Sequence, residues 1–289
     1  MVTTFAEADQ GRLSDLLQQY SVEVLPKDQK GLDTACETLR PKSEVFVASL
    51  PDENPQSLIA ACVKLARAGL TPVPHLAARN IRSREEFADT VERLTGEAGV
   101  DHALILGGDR DHSVGPFKAS IELIETGFLE KNGVRHIAIA CHPEGHPRVP
   151  DAVMWPALKV KLDAAAKAGL EVRLVSQFAF DAKPIVGMAR RLRADGIAAP
   201  LRVGVAGPAA RTTLIKYALM CGVGPSLRAL KERQDLAKSV AAGETPEALL
   251  REVADARAAE PALGIDSIHF FTFASLQKSI SFADELRKG

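Results

Sequence analysis

Apolar residues along this chain gather into short, nearly continuous runs, separated by longer stretches with helical spacing. The runs are 21–26 (SVEVLP), 44–50 (EVFVASL), 71–77 (TPVPHLA), 102–107 (HALILG), 136–141 (HIAIAC), 171–178 (EVRLVSQF), 201–206 (LRVGVA) and 267–273 (SIHFFTF). A strand covered on both faces reads this way, whereas a half-exposed strand alternates. Between the runs, Phe87, Val91 and Leu94 mark an apolar helical face behind a Ser83-Arg84-Glu85-Glu86 capping box. Segments 153–168 and 184–196 carry the same periodicity.

A Gly-aliphatic pair closes helix after helix: Gly69-Leu70, Gly99-Val100, Gly133-Val134, Gly169-Leu170 and Gly196-Ile197. Glycine suits the left-handed position past a helix end, and the aliphatic residue folds back on the last turn. The spacings of 30, 34, 36 and 27 residues each hold one strand and one helix. Eight strands alternating with helices predict an α/β (β/α)₈ TIM barrel, a single catalytic domain over 1–289. Residues 1–20 read as an N-terminal helical extension and 221–262 as a helical elaboration before the last strand. A doubly wound open sheet competes, but the first strand runs into Pro26-Lys27-Asp28 rather than a glycine-rich phosphate turn.

In a barrel the chemistry sits at the C-terminal strand ends. The polar residues there are Glu23, Ser49, His75, Asp109, His142, Glu144, His146, Gln177 and Thr272. Glu23 lies between Val22 and Val24 and so faces away from them; inside the mouth, desolvation would raise its pKa toward general-acid use. Asp109 follows two glycines that let a ligand approach the backbone, although Gly-Gly-Asp is also good turn chemistry. His102, His136 and His269 read as strand-start or packing residues.

Charge and composition narrow the field. Lys and Arg number 36 against 37 Asp and Glu, a net charge of −1, so no general field draws nucleic acid and any anionic ligand needs a local site. No apolar stretch suits a signal peptide or a membrane span, and four scattered cysteines fit reduced thiols, so a cytoplasmic protein is expected. No strand carries a lysine for Schiff-base chemistry, and the first strand lacks a His-x-His pair. Pro143 and Gly145 forbid helical geometry for His142 and His146, so no metal is expected.

Taken in order, the strand ends resemble the methylenetetrahydrofolate reductase family. The marks are Glu23 in SVEVLP, HLAA at 75–78, the Gly-Asp pair closing LILGGD, ACHPEGHP from 141, SQFAFD at 176–181 and HFFTF at 269–273. The resemblance implies a short, catalytic-only barrel that binds FAD and is reduced by NADH or NADPH. It then interconverts 5,10-methylenetetrahydrofolate and 5-methyltetrahydrofolate by ping-pong hydride transfer, in one-carbon metabolism and methionine biosynthesis. Carried over by motif, Glu23 is the acid that helps open the folate ring to an iminium. Asp109 is the aspartate near the pterin, and Gln177 bonds the pterin. Ser49, His75, Gly108, Arg110, His142, Glu144, His146 and Lys161 are the expected cofactor set.

The cofactor pattern is also where the chain departs. Gly107 stands where the family commonly has Arg, and His142 where it has Tyr. Met154-Trp155-Pro156-Ala157 replaces a segment presenting Asp and Asn, and Val160 replaces the Arg before Lys161. Arg211 occupies the loop where a Phe meets folate, and is expected to bind substrate. At about 1–3 kcal/mol per charge-assisted bond, these losses weaken flavin binding unless Arg110, His112 or Trp155 compensates. Three alternatives follow: flavin-free hydride transfer, a paralogue working toward 5-methyltetrahydrofolate oxidation, and a non-catalytic folate- or flavin-binding barrel. An unrelated barrel lyase is a fourth. The expected partner is the small folate substrate, with neither nucleic acid nor membrane; a homo-oligomer stays open.

Overall fold

The computed structural model describes residues 10–223 and 245–288. Its eight strands are β1 (Ser21–Val24), β2 (Glu44–Val47), β3 (Thr71–Ala77), β4 (His102–Leu106), β5 (His136–Cys141), β6 (Glu171–Ser176), β7 (Leu201–Ala206) and β8 (Ile265–Phe271). They are ordered β1 to β8 in a closed barrel, with helices between them, as a (β/α)₈ TIM barrel requires. All eight expected strands exist. The last begins two residues earlier than the apolar run suggested, because Ile265 is buried beside Leu201.

The expected helix ends are present as well. Gly69, Gly99, Gly133, Gly169 and Gly196 all have φ between +60° and +94°. The N–H of each following aliphatic residue reaches back to the last turn, as Leu70 does to Leu65 and Ile197 to Leu192. Helix starts are capped by side chains just past the strands: Asp28 accepts from Gly31, Asn54 from Gln56, and Asp181 from Lys183. The Ser83 box is only half formed. Ser83 accepts from the Glu86 N–H, but the Glu86 carboxylate bonds the Arg82 N–H instead of returning to Ser83.

The chain divides into two compact units. In the first (residues 23–140 and 152–173), β2 to β5 bury Val45, Phe46, Val47, Val73, Ile105, Ile137 and Ile139. Helices Pro55–Arg67 and Arg84–Ala98 cover these strands, and Phe87 meets Phe117 edge-on at 5.7 Å. In the second (residues 1–22, 141–151 and 174–289), Tyr20 packs edge-on against Phe270 at 5.7 Å. A helix at 10–16 docks on helix Leu276–Lys288, where Ser14 Oγ donates to the Arg287 carbonyl. The expected elaboration at 221–262 contains helix Glu247–Ala259; its residues 224–244, like residues 1–9 of the N-terminal extension, lie outside the described residues. Among the described residues, no helix is long and apolar enough to cross a membrane.

Candidate active site

Glu23 is the third residue of β1, and its neighbours Val22 and Val24 are buried. Its own side chain keeps 24% of its surface, and its Oε2 lies 3.7 Å from Nε2 of His75 on β3. His75 is buried, with the edge of Phe46 against its ring, and its Nε2 has no hydrogen-bond partner in the protein. Burial holds the imidazole neutral, lowering its pKa to about 3. The same desolvation pushes the Glu23 carboxyl up to about 7. The two groups are therefore not an ion pair. They are an acid that can hold its proton near neutrality and a neutral imidazole beside it.

His75 lines a cleft together with Ser49, Leu76, Ala77 and Asn80. Ser49, half-buried, follows β2 by two residues, so the strand end places it there. The loop after β4 carries Gly108, whose φ of +92° favours glycine and whose absent Cβ would touch Ala77 at 3.4 Å. Asp109 is exposed. Arg79 fixes this loop: its N–H donates to Gly107, and its guanidinium to the Arg110 carbonyl at 2.9 Å and the Lys118 carbonyl at 3.0 Å. Arg110 donates to Asn80 Oδ1 at 3.1 Å and to Asp52 Oδ1 at 2.5 Å. Lys161 is half-buried on helix Asp151–Lys167, Trp155 is buried, and Val160 is exposed. His112 is exposed too, whereas Arg110 bonds to the cleft residue Asn80.

The second unit holds the remaining candidates. His142-Pro143-Glu144-Gly145 forms a turn closed by the Gly145 N–H on the His142 carbonyl, and the rings of His142 and His146 meet edge-on at 4.8 Å. His142, Glu144 and His146 are half-buried. Gln177 follows β6, where its N–H donates to the Cys141 carbonyl of β5. Its side-chain oxygen accepts from the Phe178 N–H at 3.0 Å, which leaves the carboxamide NH₂ as the end with hydrogens to give. Arg211 is exposed at the start of helix Arg211–Met220.

Several participants escaped the sequence reading. Arg79, Asn80 and Asp52 organise the cationic loop; Arg79 and Asn80 directly follow the HLAA run, which was the available signal. An aromatic cluster is the other: Tyr217 stacks on Phe273 at 4.5 Å, and Phe178 meets Phe271 and Phe273 edge-on. Phe273 and Ala274 are held at φ +47° and +61°, a conformation uncommon for residues with side chains and found where surroundings over-determine the backbone.

The orphaned His75 Nε2 in the cleft wall and the open space at Gly107 fit a planar polar group such as a flavin. The cationic side fits less well, because Arg110 already meets a carboxylate. Among solved structures, the chain is similar to the crystal structure of the 3-dehydroquinate dehydratase from Aquifex aeolicus VF5. That match has 12% identity and a TM-score of 0.47 and covers 94% of this chain and 98% of that one; it is too distant to bear on function. The sequence model of the family described as methylenetetrahydrofolate reductase matches residues 17–282. With Glu23, His75 and Gln177 all inside that span, the chain belongs to the methylenetetrahydrofolate reductase family and is a folate-related oxidoreductase.

Proposed function

We propose that the protein interconverts 5,10-methylenetetrahydrofolate and 5-methyltetrahydrofolate, with NADH or NADPH as the hydride source and FAD as the resident carrier. The observation that carries this reading is the Glu23 carboxyl, raised to about 7 beside a neutral His75. Opening the five-membered ring of the folate needs a proton delivered to a ring nitrogen, and an acid with that pKa delivers it near neutral pH. Gln177 offers its carboxamide NH₂ to the pterin, and Arg211 meets an anionic part of the substrate. Asp109 contributes its charge to the folate and cofactor electrostatics.

Bound FAD would supply the hydride-transfer chemistry that links the nicotinamide to the folate. His75, Ser49 and the Gly108 backbone would hold it in the cleft, with Arg110 and Lys161 as cations for its phosphates. His142, Glu144 and His146 complete the expected set. The Arg110–Asp52 pair favours a second reading, in which hydride passes directly from nicotinamide to folate without flavin.

Purified protein assayed for NADH oxidation with methylenetetrahydrofolate, and for NAD⁺ reduction with 5-methyltetrahydrofolate, tests the reaction. Turnover in either direction is expected; turnover in neither rejects it. Flavin absorbance retained through gel filtration after FAD addition separates the first reading from the second. The ratio of the two rates also tests whether the chain is specialised for oxidation.

A further inference from the structure

Arg79 lies just past β3, in the short helix Ala78–Asn80, and its guanidinium reaches across to the loop after β4. Nε donates to the Lys118 carbonyl at 3.0 Å, and Nη1 donates to the carbonyls of Arg110 at 2.9 Å and, more loosely, Gly108 at 3.4 Å. An arginine has five N–H donors, so these bonds use three and leave the two on Nη2. Nη2 has no partner among the described residues and is not a buried orphan, so its hydrogens face solvent. No carboxylate among the described residues pairs with this guanidinium either.

Two other arginines around this loop are neutralised: Arg110 meets Asp52 at 2.5 Å, and Arg82 meets Glu86 at 3.4 Å. Arg79 keeps its whole charge, because the carbonyl oxygens that hold it carry none. Its place is fixed from both sides. The Arg79 carbonyl accepts from the Val114 N–H, and a Cβ on Gly115 would collide with the carbonyl oxygens of Ile81 and Arg82, so the loop sits tightly on residues 79–82. Toward the cleft, the next residue is Asn80, which lines it with His75 and Ser49. The space at Gly107, whose carbonyl accepts from the Arg79 N–H, is open.

We propose that Arg79 binds the diphosphate of the dinucleotide assigned to the cleft, through its two Nη2 hydrogens. The inference rests on the cofactor reading above and adds a residue to it, a cation for which no carboxylate competes. Arginine presents a planar fork of N–H groups that matches phosphate oxygens, and a charged donor makes the stronger class of hydrogen bond. Held on three carbonyls, the side chain has lost most of its rotamer freedom before a ligand arrives, so little ordering cost remains at binding. FAD and NADH both carry such a diphosphate, so the site serves the flavin reading and the flavin-free one alike. The folate carboxylates, assigned above to Arg211, are the competing anion and enter the test.

The test titrates FAD and riboflavin, which shares the ring and lacks the diphosphate, into wild-type protein, Arg79→Gln and Arg79→Lys, followed by flavin fluorescence. The readout is the ratio of the two affinities, because loosening of the loop lowers both and cancels. Arg79→Gln should lower the preference for FAD about tenfold or more, whereas Arg79→Lys, which keeps the charge, should hold it within about threefold of wild type. A preference unchanged in Arg79→Gln overturns the proposal; a fall in 5-methyltetrahydrofolate affinity alongside it would reassign the cation to the substrate. If wild-type protein binds no FAD, the FAD reading fails separately, and NADH against reduced nicotinamide riboside replaces the flavin pair. Absence of NADH binding there, or an NADH preference that Arg79→Gln leaves intact, overturns the site. If Arg79→Gln does not fold, Arg79→Met takes its place, uncharged and of similar length.

Discussion

Glu23 Oε2 stands 3.7 Å from His75 Nε2, beyond hydrogen-bond reach, with the carboxyl pKa raised to about 7 and the imidazole lowered to about 3. Near pH 7 the pair thus supplies one proton, and Glu23 carries it. Folate reduction should fall about tenfold per pH unit above 7, as the acid form is titrated away. Glu23→Gln should cut turnover by about 10²–10⁴ while folate binding survives. A pH–rate profile flat from 6 to 9, or a fully active Gln variant, removes Glu23 from the proton step.

The same shift has a stability consequence with a definite sign. Between pH 4.5 and about 7 the folded chain keeps the Glu23 proton and the unfolded chain loses it, so stability falls as pH rises through that window. His75 acts oppositely, adding stability as pH rises from about 3 to 6.5. Glu23→Gln removes the falling limb alone. It should stabilise the protein by about 3 kcal/mol at pH 8 and leave it nearly unchanged at pH 4. Denaturant titrations of both proteins at the two pH values measure this directly; equal differences at both would show that the carboxyl is not desolvated.

Asp52 competes with any phosphate for Arg110. It is 85% exposed in side chain, sits at φ +64°, and its Oδ1 is 2.5 Å from the guanidinium. Asp52→Asn keeps a residue tolerant of that backbone while removing the charge. FAD should then bind several-fold more tightly, and the gain should shrink with added salt. Arg110→Gln should abolish the gain. If Asp52→Asn leaves the FAD titration unchanged, Arg110 does not hold the pyrophosphate.

How much of this was legible follows from the range of each interaction. The five Gly-aliphatic stops and the eight apolar runs are local signals, each decided by a few neighbouring residues, and the strands and helix ends follow them closely. Glu23 was legible for a related reason, since a charged residue between two strand valines must face the other way. Its partner was not: His75 lies two strands later, and nothing near either residue encodes their approach. The Arg79 bonds to the loop after β4 are likewise products of register between strands. The half-formed box at Ser83 shows a milder case, where Glu86 chooses between two nearby N–H groups that the motif alone does not rank.

Gly204 packs against the end of β6, next to Gln177, the residue proposed to bond the pterin. A Cβ there would sit 2.1 Å from the Ser176 carbonyl oxygen and 3.1 Å from the Gln177 carbonyl carbon, both backbone atoms with little room to yield. The Gly204 N–H also donates to Ser176 Oγ at 2.8 Å, so β7 is held closely against the end of β6. Gly204→Ala should cost about 1–3 kcal/mol by overpacking. Because the displaced atoms belong to Gln177 and its predecessor, KM for the folate should rise more than KM for the nicotinamide. Steady-state kinetics with each substrate varied in turn separate this from general destabilisation, which would lower active enzyme and leave both KM values alone.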